Sequence, residues 1–173
     1  MSGWSDDPAV FDAVAMALYP GMRRNEILYC QPSWLQSAAG PCICIEFEPD
    51  FRPKNCTERK IPIPQWLFDH LKSSSSGSFL SQSDHKERDR ILDRAGQWLR
   101  GNGFATTRKP LHALRGLYAA YQLATETNLI RIKCRLGHAD LMTTFRTLCL
   151  TSAPIVSPCT PLGIGTAAAP RAS

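Results

Sequence analysis

Four short patterns in this chain combine residue types that suit chemistry on an anionic phosphoryl group. They are Tyr19-Pro20-Gly21-Met22-Arg23-Arg24-Asn25-Glu26-Ile27; Lys54 with the following Glu58-Arg59-Lys60-Ile61-Pro62-Ile63; His112-Ala113-Leu114-Arg115; and Leu136-Gly137-His138 with Thr143-Thr144. Phosphoryl transfer leaves a protein little to do except position groups and stabilise charge. Two arginines can clamp non-bridging oxygens bidentately. A lysine on a loop can hand a proton to a leaving oxygen, and histidines can orient a hydroxyl or donate a hydrogen bond. Side-chain cations doing this work need no metal. Taken singly, each pattern arises often by chance, since Gly-x-Arg-x-x-Glu and His-x-x-Arg are short.

The elements that must position these residues are legible in outline. Asp7-Pro8 opens a helix, with Asp as cap and Pro at the first helical position. Val10, Phe11, Val14, Ala15 and Leu18 then recur at helical spacing. Pro20-Gly21 interrupts it, and Arg23 to Leu28 reads as a second short helix. Cys42 to Phe47 reads as a strand and Arg59 to Ile63 as its return, joined by a basic loop of turn chemistry. Pro64 to Leu71 is a short helix, and Ser73 to Ser78 a flexible loop. Residues 84 to 100 form an amphipathic helix on Ile91, Leu92, Ala95, Trp98 and Leu99, stopped by Gly101 and Gly103. Further helices are expected over about 112 to 125, over Leu129 to Leu136 with Asn128 as cap and Gly137 as stop, and over Asp140 to Leu150. The class is α+β, mostly helical, with a small antiparallel β-hairpin or sheet.

In this order and spacing, the four patterns resemble the catalytic domain of the tyrosine recombinases, the phage integrase family, from about residue 8 to residue 147. The resemblance implies that Arg23 is the first catalytic arginine and Glu26 a supporting carboxylate that orients it. It implies that Lys54 is the hairpin-loop lysine, that His112 and Arg115 are the His-x-x-Arg pair, and that His138 is the second histidine. On this reading Arg23 and Arg115 clamp a scissile phosphodiester, Lys54 protonates the leaving 5′ oxygen, His112 takes or orients the proton of the attacking hydroxyl, and His138 hydrogen-bonds the phosphate. The implied partner is double-stranded DNA, bound by a homo-oligomer, with no cofactor and no metal.

One position departs from the family. The nucleophilic tyrosine would follow the second histidine by nine residues, where this chain has Thr147, and no tyrosine follows Tyr121. A threonine hydroxyl is far less acidic than a phenol of pKa about 10. The chain is therefore expected to be defective in covalent strand cleavage on its own, with truncation, a frameshift near residue 147, a fragment, or a tyrosine supplied in trans as explanations. The N-terminal DNA-clamping domain usual in the family is also not found. The alternative is a non-catalytic DNA-binding or assembly module, or an inert remnant of a mobile-element integrase.

Composition sets the outer bounds. The chain has 173 residues, a net charge of +5, 43% apolar residues and 20% charged ones, which suits one folded domain. No run of about 18 apolar residues exists to span a membrane, and Met1 to Pro8 lacks a signal peptide's basic start. Seven irregularly spaced cysteines point to reduced thiols and a cytoplasmic location. Cys42 and Cys44 share one strand face without completing a zinc motif. The basic residues cluster between Lys86 and Arg115 and at Arg52, Lys54, Arg59 and Lys60. The helix over 86 to 100 reads equally as a solvated face or a phosphate-contacting one. Arg23, His112 and His138 each also have an ordinary reading as surface or structural residues, and Tyr118 and Tyr121 read as core or groove residues. The folded unit is expected to span residues 6–148, with a Pro/Ala-rich, disordered tail over 149–173.

Overall fold

The computed structural model of the chain describes residues 6–53, 58–73, 78–104, 108–125, 128–140 and 142–143. Lys54, Thr147, the serine-rich stretch over 74–77, the tail, and most of the helix expected over Asp140 to Leu150 lie outside the described residues.

The first helix, α1 (Pro8–Leu18), is capped by Asp7, whose Oδ1 accepts from the N–H groups of Ala9 at 3.0 Å and Val10 at 3.3 Å. Ala13, Ala15, Ala17, Val10, Val14 and Met16 are all buried, so α1 is apolar nearly all round and runs through the core rather than along its surface. It packs against α4 (His85–Gly101) and α5 (Pro110–Thr125). The second helix, α2 (Arg24–Leu28), follows a turn in which Gly21 takes φ +64°.

Three short strands form one antiparallel sheet in the order β1 (Leu35–Gln36), β2 (Cys42–Ile45), β3 (Arg59–Pro62). Ile45 pairs with Arg59, Cys44 with Lys60 and Ile43 with Ile61. Strand alternation puts Arg59 and Ile61 on the buried side and Lys60 and Pro62 on the exposed side. Then come α3 (Gln65–Lys72), a 3-10 turn at Phe79–Ser81, α4, α5 and α6 (Leu129–Leu136). Asn128 caps α6 by accepting from Ile130 and Arg131, and Gly137 ends it in the left-handed region at φ +60°.

The mostly helical α+β class with a small antiparallel sheet is the class of this structure. The strand expected over Cys42 to Phe47 ends at Ile45, because Glu48 and Phe51 pair backbone groups across a tight turn and Phe47 is exposed. The helix expected from about 112 begins at Pro110, as a first-turn proline allows. Strand β1 carries too few residues to show a period of two, and the sequence does not reveal it.

Candidate functional site

The site is built outward from a buried carboxylate. Glu26, in the first turn of α2, is 1% exposed. Its Oε2 accepts the Arg23 backbone N–H at 2.7 Å, and its Oε1 accepts Arg23 Nη1 at 2.9 Å. Arg59, facing inward from β3, donates Nη2 to both oxygens at 2.8 Å. Arg115 Nη1 lies 3.9 Å from Oε2. A buried carboxylate survives only when paired and hydrogen-bonded. Burial works to raise the Glu26 carboxyl, but the charges of Arg59, Arg115 and Arg23 overturn that and hold it below its usual range.

The three arginines differ in what they can offer. Arg115, on α5, is 1% exposed; it donates Nη1 to the Gly21 carbonyl and Nη2 to the Leu136 carbonyl. It thereby joins the turn before α2 to the end of α6. Among the described residues its Nε is buried without a hydrogen-bond partner. Burial and the repulsion of Arg23 pull its guanidinium down to about 9, so it stays charged at neutral pH. The side chain of Arg23 retains 19% exposure and gives Nη2 to the Gly137 carbonyl at 2.9 Å. Arg23 also lines an open groove of about 820 Å³ whose walls include Arg24, Arg52, Arg100, Arg108, Lys109 and His112.

His112 is exposed in the first turn of α5 on this groove. His138 is half-buried just after Gly137. Burial, followed by the charges of Arg115, Arg23 and Arg59, lowers its imidazole to about 4 against the opposing pull of Asp140. It is therefore neutral at pH 7 and retains one N–H donor. Of the six residues expected from sequence, Arg23, Glu26 and Arg115 form one cluster with His138 in electrostatic reach, and His112 shares the groove with Arg23 and Glu26. Lys54 lies outside the described residues.

The structure adds Arg59, which the sequence reading placed in the second pattern, the return strand and a basic cluster but gave no role at the site. The available signal was parity: Arg59 shares its side of the strand with Ile61 and Ile63, both buried. The charges of α4 divide by residue. Arg88 is buried and donates to the carbonyls of Leu28, Cys30 and Gln82. Asp89 and Asp93 hold Arg24, and Arg94 pairs with Asp7. Arg100 instead lines the groove. Tyr118 is a core residue, its phenol pushed up to about 12 by burial. The Cys42 and Cys44 sulfurs lie 3.8 Å apart on one face, and burial pushes the Cys44 thiol up to about 11. Among the described residues, no group of three His, Cys, Asp or Glu side chains is placed to hold a metal ion, and no helix is long and apolar enough to cross a membrane.

This mostly helical domain with its three-stranded sheet has the fold of the tyrosine recombinase catalytic domain. The chain is similar to the catalytic domain of bacteriophage HP1 integrase, with a TM-score of 0.60 at 20% identity over 83% of this chain and 76% of that one. It is also similar to XerA recombinase (TM-score 0.61, 19% identity, 84% of this chain, 55% of that chain). The XerH site-specific recombinase bound to its palindromic difH substrate in a post-cleavage complex matches at TM-score 0.61 and 17% identity, over 86% of this chain and 45% of that one. The chain thus spans about half the length of the two Xer recombinases. No protein-family model and no curated protein matches the sequence.

Proposed function

We propose that this chain is an integrase-like catalytic domain that binds double-stranded DNA in the basic groove and holds a scissile phosphodiester against Arg23. The observation that carries this reading is the partly exposed Arg23 guanidinium, fixed by Glu26 and Gly137 at the edge of a groove lined by further cations. Arg115 supplies charge from beneath and holds the two backbone segments that flank the phosphate site. His138, neutral, donates a hydrogen bond to the phosphate; His112 orients the attacking hydroxyl; Lys54 protonates the leaving 5′ oxygen. The chain acts on DNA as a homo-oligomer. With Thr147 where the family places its nucleophile, it forms no covalent intermediate by itself, and since a second copy carries the same Thr147, any tyrosine supplied in trans comes from a different, tyrosine-bearing recombinase chain. The test has two parts. Arg23→Ala is expected to weaken duplex binding, and an unchanged affinity refutes the phosphate role. A nicked suicide substrate is expected to trap no covalent adduct; an adduct would overturn the inactivity.

A second reading, a non-catalytic DNA-binding or assembly module, is favoured by one observation. Arg115 has both terminal nitrogens on carbonyls and almost no exposure. On that reading Arg23→Ala and Arg115→Ala give only a modest, uniform loss of affinity with steep salt dependence. On the first they remove site binding and any cleavage.

A further inference from the structure

We propose that Arg59 is a positioning residue of this site: it orients Glu26, through Glu26 the Arg23 guanidinium, and anchors both to the Gly137–His138 turn. The inference rests on the phosphodiester reading above and deepens it.

Arg59 occupies a costly place. It sits opposite Ile45 on the inward face of β3, where the next inward residue is Ile61 opposite Ile43. An aliphatic residue would fill such a position without the penalty of burying a cation. Burial lowers the Arg59 guanidinium, and Glu26 opposes that.

The contacts supply the reason for a guanidinium. Arg59 Nη2 meets both Glu26 oxygens at 2.8 Å, while Arg23 meets the same two oxygens with Nη1 and its backbone N–H. Four hydrogen bonds on its two oxygens set the carboxylate plane, and with it the direction in which Arg23 Nη1 points. Arg59 also reaches α6, donating Nε to the Arg135 carbonyl at 2.8 Å. Its guanidinium also lies against Gly137, where an added Cβ would stand 2.9 Å from Nη1 and 3.0 Å from Cζ. The Gly137 carbonyl is the acceptor for Arg23 Nη2. One planar group therefore ties β3, the start of α2 and the end of α6 together around Arg23. A lysine cannot reproduce this, because its single ammonium cannot serve Glu26 and the Arg135 carbonyl as a rigid fork does.

A purely structural ion pair would also raise stability, so the test separates placement from folding. The first arm uses the full chain without DNA. ¹⁵N NMR of the Arg23 guanidinium is expected to show hindered rotation in the wild type and faster rotation in Arg59→Lys. Arg23 signals unchanged by Arg59→Lys in a folded protein overturn the proposal. The second arm measures affinity for a short DNA duplex at low salt. Arg59→Met is expected to weaken binding roughly tenfold, the scale of coupling within one shared network, and to add nothing in an Arg23→Ala background. Loss that adds in full to Arg23→Ala, or a lowered melting temperature with wild-type affinity, overturns it. If Arg59→Met does not fold, Arg59→Lys takes its place in this arm with the same expected non-additivity. A wild-type chain that binds no duplex faults the functional reading alone; the NMR arm still decides the placement of Arg23.

Discussion

His138 is a residue whose chemistry its neighbours decide. An ordinary imidazole titrates near 6.5, but burial and the charges of Arg115, Arg23 and Arg59 bring this one to about 4. NMR titration is expected to find its midpoint near that value, and Arg23→Met is expected to move it upward; a midpoint in the ordinary range would contradict the clustered charges. Because the folded value lies below the unfolded one, the unfolded chain binds this proton more readily between them. The His138 contribution to stability therefore falls as pH drops from about 6.5 toward 4. Glu26 acts in the same direction lower down. Its folded value is depressed, so its stabilisation is present above the ordinary glutamate value and is lost as pH falls through the folded one. The urea-midpoint difference between the wild type and His138→Gln should fall from pH 7 to pH 4, and a constant difference would count against the His138 assignment. The motif residues carrying these groups were legible as residues. Their titration was not, because it depends on how deeply three segments bury one another.

At the scale of elements, two glycines and a buried aspartate set the connections. Gly21 and Gly40 both take positive φ, but a Cβ at Gly21 would stand 2.4 Å from the Tyr118 ring while Gly40 faces open space. Gly40→Ala should cost about 1–2 kcal/mol of backbone strain. Gly21→Ala should cost about 1–3 kcal/mol more from overlap with a packed ring, as read by denaturant melts; equal costs would refute the contact. Asp12, buried on α1, accepts from His70 of α3 at 2.7 Å and from the Phe79 N–H at 2.9 Å. The hydrogen bond to Asp12 raises His70 against the effect of burial. Its stabilisation is therefore full below the ordinary histidine value and is lost as pH rises through the folded one. Asp12→Ala should return His70 to its ordinary titration and destabilise by about 1–3 kcal/mol, the cost of an orphaned buried N–H. NMR and denaturation check the two halves separately. Helix termini were readable because Asp7, Asn128 and Gly137 act locally. The all-round burial of α1 was not, since it follows from α4 and α5 closing over it.

Over the whole molecule, the net charge of +5 divides into charges used inside the fold and charges turned to the groove. Arg88 and Arg59 are spent on carbonyls and Glu26, while Arg24 lines the groove but is held there by Asp89 and Asp93. Arg23, Arg52, Arg100, Arg108 and Lys109 line one depression. Duplex affinity should fall linearly with the logarithm of salt concentration. Arg108→Ala should reduce that slope by about one unit, as for loss of a single phosphate contact. Fluorescence anisotropy across a salt series measures it, and an unchanged slope would place Arg108 outside the interface.

Residue order alone determined the helical class, the hairpin and the caps, because capping and periodicity are local properties. Only the tertiary structure decided that Arg115 is buried on carbonyls, that Arg23 keeps an exposed edge, and that Arg59 joins them at Glu26. Which cation faces solvent depends on the register of β3 and on the meeting of α2 with the end of α6. Those contacts cross more than a hundred residues of chain between Arg23 and Gly137, and no local pattern encodes them.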